Sequence, residues 1–326
     1  VSRGAGGMDG AHGSPSRPGF AAWAVIMALA ALAVWVLGVD YALAQAAFVA
    51  TWAIAGLGVV LVVGQCGQVS LGQGALLGLG AYAQAVFALR GVPAQLSLPL
   101  AIALGAGGGW LASLPARRLG GLYFAMSTLA FALVVEEALV RWESLTRGAA
   151  GLAVPPLALG GWVAETPLAQ ALVACVALAL AWLACRRWAA SRLGRAWRAV
   201  REDEIAAAAA GIDVARAKTL AFVLGGGLSG LGGALYAHWI GFVSPEQFGL
   251  MLSFELLMLA FIGGARHLSG ALWGALVVVA LPQGVSLAVE RLPPGLAGAA
   301  GIEMALFGAV LVILVLLRPG GLAGSR

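Results

Sequence analysis

Pro167-Leu168-Ala169-Gln170-Ala171-Leu172-Val173-Ala174-Cys175-Val176-Ala177-Leu178-Ala179-Leu180-Ala181-Trp182-Leu183-Ala184-Cys185 carries no charged side chain along its whole length. A helix crosses the hydrocarbon core of a bilayer with about 20 apolar residues, so this stretch has the length and composition of one transmembrane span. A membrane barrel is excluded by the same residues. Its strands of about 10 residues alternate in polarity, whereas Leu172 to Leu183 is continuously apolar.

Working outward, apolar runs between breaks give ten candidate spans: 21–39, 44–63, 71–89, 94–113, 122–140, 167–185, 218–240, 250–264, 268–287 and 301–317. The 326 residues are 61% hydrophobic and 10% charged, against about 25% charged in a soluble domain. The expected fold is an all-α membrane protein, a polytopic bundle of about ten transmembrane helices. No hydrophilic segment except 186–217 is long enough to form a core of its own. Residues 20–322 therefore read as one transmembrane domain, with a Gly/Ser/Pro-rich leader at 1–19 and a tail at 323–326. The run 21–39 exceeds the 7–15 apolar residues of a signal peptide and reads as a span.

The formal charge of +5 is explained by position. With the N-terminus inside, Arg117, Arg118, the stretch 186–217, Arg266 and Arg318 all fall on the cytoplasmic side, as the positive-inside rule requires. Acidic and mixed residues such as Glu143 and Glu165 fall outside. The expectation is a multi-pass protein of the bacterial plasma membrane with both termini cytoplasmic, bounded by lipid and without a nucleic-acid partner. Trp142, Trp162, Trp188 and Trp239 fall near span ends, where indole suits the interface. Cys66, Cys175 and Cys185 lack metal or CxxC spacing and read as packing residues, and His267 beside Arg266 has no second ligand. No metal site is expected.

Three polar groups in the apolar runs are candidates for a substrate path. Gly64-Gln65-Cys66-Gly67-Gln68-Val69-Ser70-Leu71-Gly72-Gln73-Gly74 sets Gln65, Gln68, Ser70 and Gln73 among glycines. It is either a broken, re-entrant segment bordering the path or a plain cytoplasmic turn. In the fifth span, Tyr123, Ser127 and Thr128 precede Glu136 and Glu137; the hydroxyls either line the path or bond the carbonyl one turn back, and the two glutamates either are solvated or meet Arg141 or Arg147. Glu255 is the deepest carboxylate, either functional or a structural hydrogen-bonding group between helices.

The segment from Arg186 to Lys218 sets Arg186, Arg187, Arg192, Arg195, Arg198, Arg201, Arg216 and Lys218 against Glu202, Asp203, Glu204 and Asp213. Acidic residues 202–204, the alanines 206–210 and then Gly211 predict a short helix, because acids suit a helix N-terminus, alanine its interior and glycine its C-terminal cap. Leu193, Trp197 and Val200 recur at helical spacing, as on a surface helix that lies on the membrane or a partner.

At this loop, Arg195-Ala196-Trp197-Arg198-Ala199-Val200-Arg201-Glu202-Asp203-Glu204-Ile205-Ala206-Ala207, followed by Gly211-Ile212-Asp213, closely resembles the coupling loop of the M-type permeases of branched-chain amino-acid ABC importers. Gly67 to Gly74 leading to Gly80-Ala81-Tyr82, Gly121 to Phe131, Gly241 to Glu246 and Arg318-Pro319-Gly320-Gly321-Leu322 resemble the same family. The resemblance implies a permease subunit that forms the path for branched-chain amino acids or a related small polar solute such as urea, amides or aromatic acids. It implies pairing with a second permease, two ATPase subunits that use ATP and Mg, and a periplasmic binding protein. The chain itself is then no enzyme and binds no cofactor, and it contains no GxxxxGK[ST] phosphate loop. Arg198, Arg201, Glu202, Asp203, Glu204, Ala207 and Gly211 are the implied coupling residues; Gln65, Gln68, Ser70, Gln73, Tyr82, Ser127, Thr128 and Glu255 are the path candidates. Two departures stand out: Arg266 and Gly270-Ala271 replace the family's glycine and Gly-Pro, and 206–210 lacks its glutamate. The other reading of the residues is an ion-coupled secondary transporter with Glu255 or Glu136 as its coupling carboxylate.

Overall fold

The computed structural model describes residues 38–117, 119, 121–289, 308, 309, 312, 316, 318 and 320–324. The long helices are α1 (Val39–Val59, extended by a π-helical turn, Val60–Gln65), α2 (Gln73–Leu89), α3 (Ala94–Ser113), α4 (Gly121–Arg141) and α5 (Pro167–Ala190). After the short helices α6 (Arg192–Glu202) and α7 (Glu204–Ala209) come α8 (Val214–Ile240), α9 (Leu250–Gly263) and α10 (Leu268–Val289). Four two-residue strands interrupt the all-helical expectation: β1 (Leu152–Ala153) pairs antiparallel with β4 (Phe242–Val243), and β2 (Ala158–Leu159) with β3 (Trp162–Val163). They tie down the loops at one end of the bundle.

Eight of the ten expected spans coincide with these helices, but the expectation of ten is not met among the described residues. Six helices there are long and apolar enough to cross a membrane, while α2 and the Leu268–Gln283 part of α10 are shorter. A helix of 17 residues reaches about 25 Å; α2 starts only after the non-helical stretch 66–72, and most of it is enclosed by other helices. The runs 21–39 and 301–317 lie almost wholly outside the described residues, as do the leader and most of the tail.

Helix α8 is the hub. It packs against α1, α2 and α3, and glycine makes each approach possible. A Cβ on Gly226 would sit 2.4 Å from the carbonyl oxygen of Gly105 in α3, and one on Gly225 would sit 2.8 Å from that of Gly58 in α1. A Cβ on Gly233 would sit 1.9 Å from the Leu77 carbonyl oxygen in α2. Helices in lipid gain nothing from burying apolar side chains that lipid would cover equally well, so close backbone contact supplies the attraction. α4 and α5 lie at the periphery and display Leu122, Met126, Val134, Leu172, Val176 and Leu180, the side chains that lipid or a second membrane chain covers.

The helix ends collect on two faces. Gln65, Ala190, Val214, Gly263 and Leu268 lie toward the arginine-rich loop, and Leu89, Ala94, Pro167 and Ile240 toward the other end; the starts of α2 and α9 meet inside the bundle, where the Gly74 N–H donates to the Ser253 hydroxyl at 3.0 Å. Residues 320–324 also lie on the basic face, where the backbone N–H groups of Leu322 and Ala323 donate to the carbonyls of Ile262 and Gly263 at 2.9 Å each.

Candidate functional site

The site is built where the basic loop meets the inner ends of α1 and α8. Ser191 caps α6, its hydroxyl accepting from the Leu193 N–H at 3.1 Å. Asp203 ends α6 and caps α7, accepting from Ile205 and Ala206 at 2.7 and 3.0 Å. Gly211 follows with φ +83°, a conformation that side chains disfavour, and Asp213 caps α8 by accepting from the Arg216 N–H at 2.9 Å. Three sharp turns in 23 residues thus fold the loop back on the bundle.

The apolar stripe of α6 faces inward. Trp197 and Val200 are fully buried within the chain, which corrects the expectation that this stripe lies on the membrane or a partner. The Trp197 indole N–H donates to the carbonyl of Ala217 at 2.9 Å, joining α6 to the first turn of α8.

Around that anchor lie the charged contacts. The Lys218 ammonium, 2% exposed, lies 2.8 Å from both carboxylate oxygens of Glu204. Gln68 donates to the same carboxylate at 3.1 Å. The Arg201 guanidinium donates to the Gly64 carbonyl in the π-helical end of α1 at 2.7 Å, and Gln65 donates to the Arg266 carbonyl at 3.0 Å. Burial lowers the pKa of Arg201, with Arg266 and Arg198 adding to the effect and Glu202 opposing it; an arginine stays charged all the same. Cys66 sits in the same junction, and burial pushes its thiol up to about 12, with Lys218 pulling down and Glu204 pushing up. It holds almost no thiolate at neutral pH and is a poor nucleophile.

The coupling candidates therefore divide. Arg201 and Glu204 are tied to the bundle, Ala207 is buried, and Asp203 and Gly211 shape the turns. Arg198 bonds back to the Ala189 carbonyl at 3.0 Å. Glu202 is exposed. Lys218 and Ile205 were missed by the sequence reading. Lys218 read as one more loop cation, although its position five residues after the Asp213 cap places it inside a helix. Ile205 is 83% exposed on an otherwise charged turn.

The path candidates are dispersed. Gln65 and Gln68 join the junction on the basic face. Ser70 and Gln73 are fully buried between helices; Gln73 accepts from the Ser229 hydroxyl at 3.1 Å, and its amide nitrogen has no partner among the described residues. Most of the segment 64–74 is packed against protein, with Gly67 and Val69 exposed: a Cβ on Gly64 would sit 1.6 Å from the Ala265 carbonyl oxygen, and one on Gly67 2.6 Å from Arg201. Ser127 and Thr128 bond back to Phe124 and Ala125 at 2.8 and 2.9 Å, and Thr128 also accepts from the Leu71 N–H at 3.0 Å. Glu137 pairs with Arg141 at the surface. Tyr82 is buried on α2 with a hydroxyl that has no partner among the described residues, and Glu255 is half-buried on α9. Trp239 is not a free interfacial ring, because its N–H donates to Thr51 at 2.9 Å.

A bundle of apolar helices with one organised basic loop, its charges wired into the helix ends, defines a helical membrane protein. Comparison with known proteins makes the class specific. Residues 41–315 match the family described as the permease component of branched-chain amino acid transport systems, and the chain belongs to that family. It is 31% identical over 297 residues to the high-affinity branched-chain amino acid transport system permease protein LivM of Salmonella typhimurium, covering 82% of this chain and 67% of the relative. The LivM protein of Escherichia coli K12 is equally similar, with the same coverage. The LivH permease of Salmonella typhimurium is 27% identical over 296 residues, covering 84% of this chain and 91% of that protein. No solved structure matches.

Proposed function

We propose that this chain is a permease subunit of an ATP-driven importer for branched-chain amino acids, and that α6 and α7 pass the movement of partner ATPases into the bundle. The junction carries the reading: α7 reaches α8 through Glu204 and Lys218, and the link that follows α1 through Glu204 and Gln68, while Arg201 of α6 holds the Gly64 carbonyl at the end of α1 itself. A displacement of these two short helices pulls on two of the most enclosed helices in the bundle. Ile205 supports the direction of docking. An isoleucine on a charged aqueous loop has no lipid to cover it, and an ATPase groove would.

On this reading the basic face is cytoplasmic, both termini are cytoplasmic, and ten spans cross the bacterial plasma membrane. Two ATPase subunits use ATP and Mg, and a periplasmic protein delivers substrate. A second, related permease completes the pore; LivM and LivH of one organism share a system name, which supports a heterodimer. The path runs from Glu255 and Tyr82 past Gln73, Ser70, Ser127 and Thr128 to Gln65 and Gln68.

Reconstitution in vesicles tests the proposal. Uptake is expected only with the ATPases, the binding protein and ATP together, and uptake driven by a proton or sodium gradient alone would overturn it. Glu204→Ala and Gly211→Ala are expected to leave membrane insertion intact while ATP hydrolysis loses its link to uptake. Wild-type stimulation of hydrolysis by loaded binding protein, with wild-type uptake, would remove the loop from the mechanism.

A further inference from the structure

Five aromatic rings form a string in the half of the bundle away from the basic face. Trp52 lies 6.1 Å from Phe48, Phe48 6.0 Å from Tyr236, Tyr236 6.0 Å from Phe248 and Phe248 5.9 Å from Tyr82, between ring centroids. They come from α1, α8, the turn before α9, and α2. Glu255 of α9, half-buried, follows Phe248 by two turns.

Helix packing places Trp52 and Glu255 at one depth. Gly56 of α1 packs on Leu259 of α9, where an added Cβ would sit 2.6 Å from the leucine side chain. Both helices run toward the basic face, so one turn back along each lies Trp52 on α1 and Glu255 on α9. Neither has its polar group satisfied. The Trp52 indole N–H is buried with no acceptor, and Glu255 makes no hydrogen bond or ion pair among the described residues. An unsatisfied donor and an unpaired carboxylate in an apolar span are each costly, and Trp52 lies beside the ring of Phe48, in a string of rings whose faces attract cations.

We propose that this cluster is a binding site for an α-amino acid zwitterion. Glu255 takes the ammonium, with the faces of Phe48 and Tyr236 beside it. The Trp52 N–H donates to the substrate carboxylate, and the rings cover an aliphatic side chain. The arrangement selects against urea and amides, which bring no cation to Glu255, and against acids without an amine, which Glu255 repels. This inference rests on the importer reading.

The test uses the whole complex in vesicles, with ATP, labelled leucine and saturating loaded binding protein. Glu255→Gln is expected to lower uptake per ATP hydrolysed by about tenfold or more, the scale of losing one hydrogen bond to a charged group, with stimulated hydrolysis retained. Glu255→Asp is expected to recover part of the loss, and Trp52→Phe, which keeps a ring and removes the donor, to lower uptake by a smaller factor. Unchanged uptake in Glu255→Gln overturns the site. So does an equal fall in uptake and in stimulated hydrolysis, which marks a structural role. If wild-type uptake needs no ATP, the importer reading fails instead, and the variants still report on the site.

Discussion

The two halves of α8 are held by opposite means. From Gly225 to Gly233 it touches its neighbours through backbone, with almost no side chain between the helices. At its start, Lys218 and the Ala217 carbonyl are gripped by long polar side chains from α6 and α7. Backbone contact is short-range and has no slack, so α1, α2, α3 and α8 move as one body or not at all. Hydrogen bonds and an ion pair at the end of flexible side chains break and re-form one at a time. A rigid waist with a compliant end is what transmission of a push requires.

The sharpest way to break this comparison is to thicken the waist. Gly226→Val puts a branched side chain where Gly105 and Gly109 of α3 already stand, with an added Cβ at 2.4 and 3.1 Å from their backbones. Overpacking a tight core costs about 1–3 kcal/mol where neighbours can yield, and here the neighbour is backbone. The expected result is loss of folded protein, read as recovery from detergent by size-exclusion chromatography. Lys218→Met is expected to do less to the fold and more to coupling. Glu204 keeps Gln68 and partial solvent contact, so the cost stays below the 3–5 kcal/mol of an isolated buried charge. Uptake per ATP should fall while protein yield remains, and maleimide should label Cys66 faster as the junction loosens, with Cys175 replaced to clear the background. Arg141→Ala, at the exposed pair with Glu137, sharpens the contrast from below: a surface pair of this kind contributes about 0.5 kcal/mol or less, and the thermal midpoint should not move measurably.

Sequence reading captured the features that depend on local chemistry. Apolar run length located eight of the helices, and Asp203 and Gly211 marked the ends of α7 through their own preferences. It misplaced what depends on neighbours. The stripe of Trp197 and Val200 has the same spacing whether a membrane, a partner or the chain's own core covers it, and only the return of α8 showed which. Lys218 could not be told from a solvated cation, because its partner Glu204 lies 14 residues away across two turns. The glutamines at 65 and 68 left path lining and plain turn open, because nothing in their own segment reveals the backbone of Arg266 or the carboxylate of Glu204 to which they donate. The glycines of α8 say little in their own segment, since their meaning lies in the backbones opposite.

The π-helical turn at the end of α1 gives the junction one further property. There the N–H of Cys66 reaches back to Leu61 instead of Val62, so the helix holds one surplus residue for that turn. A surplus residue is mobile in register: passing it along a helix rotates everything beyond it by about 100° and shifts it about 1.5 Å, with few hydrogen bonds open at any moment. Arg201, bonded to Gly64 inside this turn, therefore holds the phase of α1 as well as its position. Releasing that bond together with the one from Gln65 to the Arg266 carbonyl would let this end of α1 turn like a key while its other end stays locked in the glycine waist.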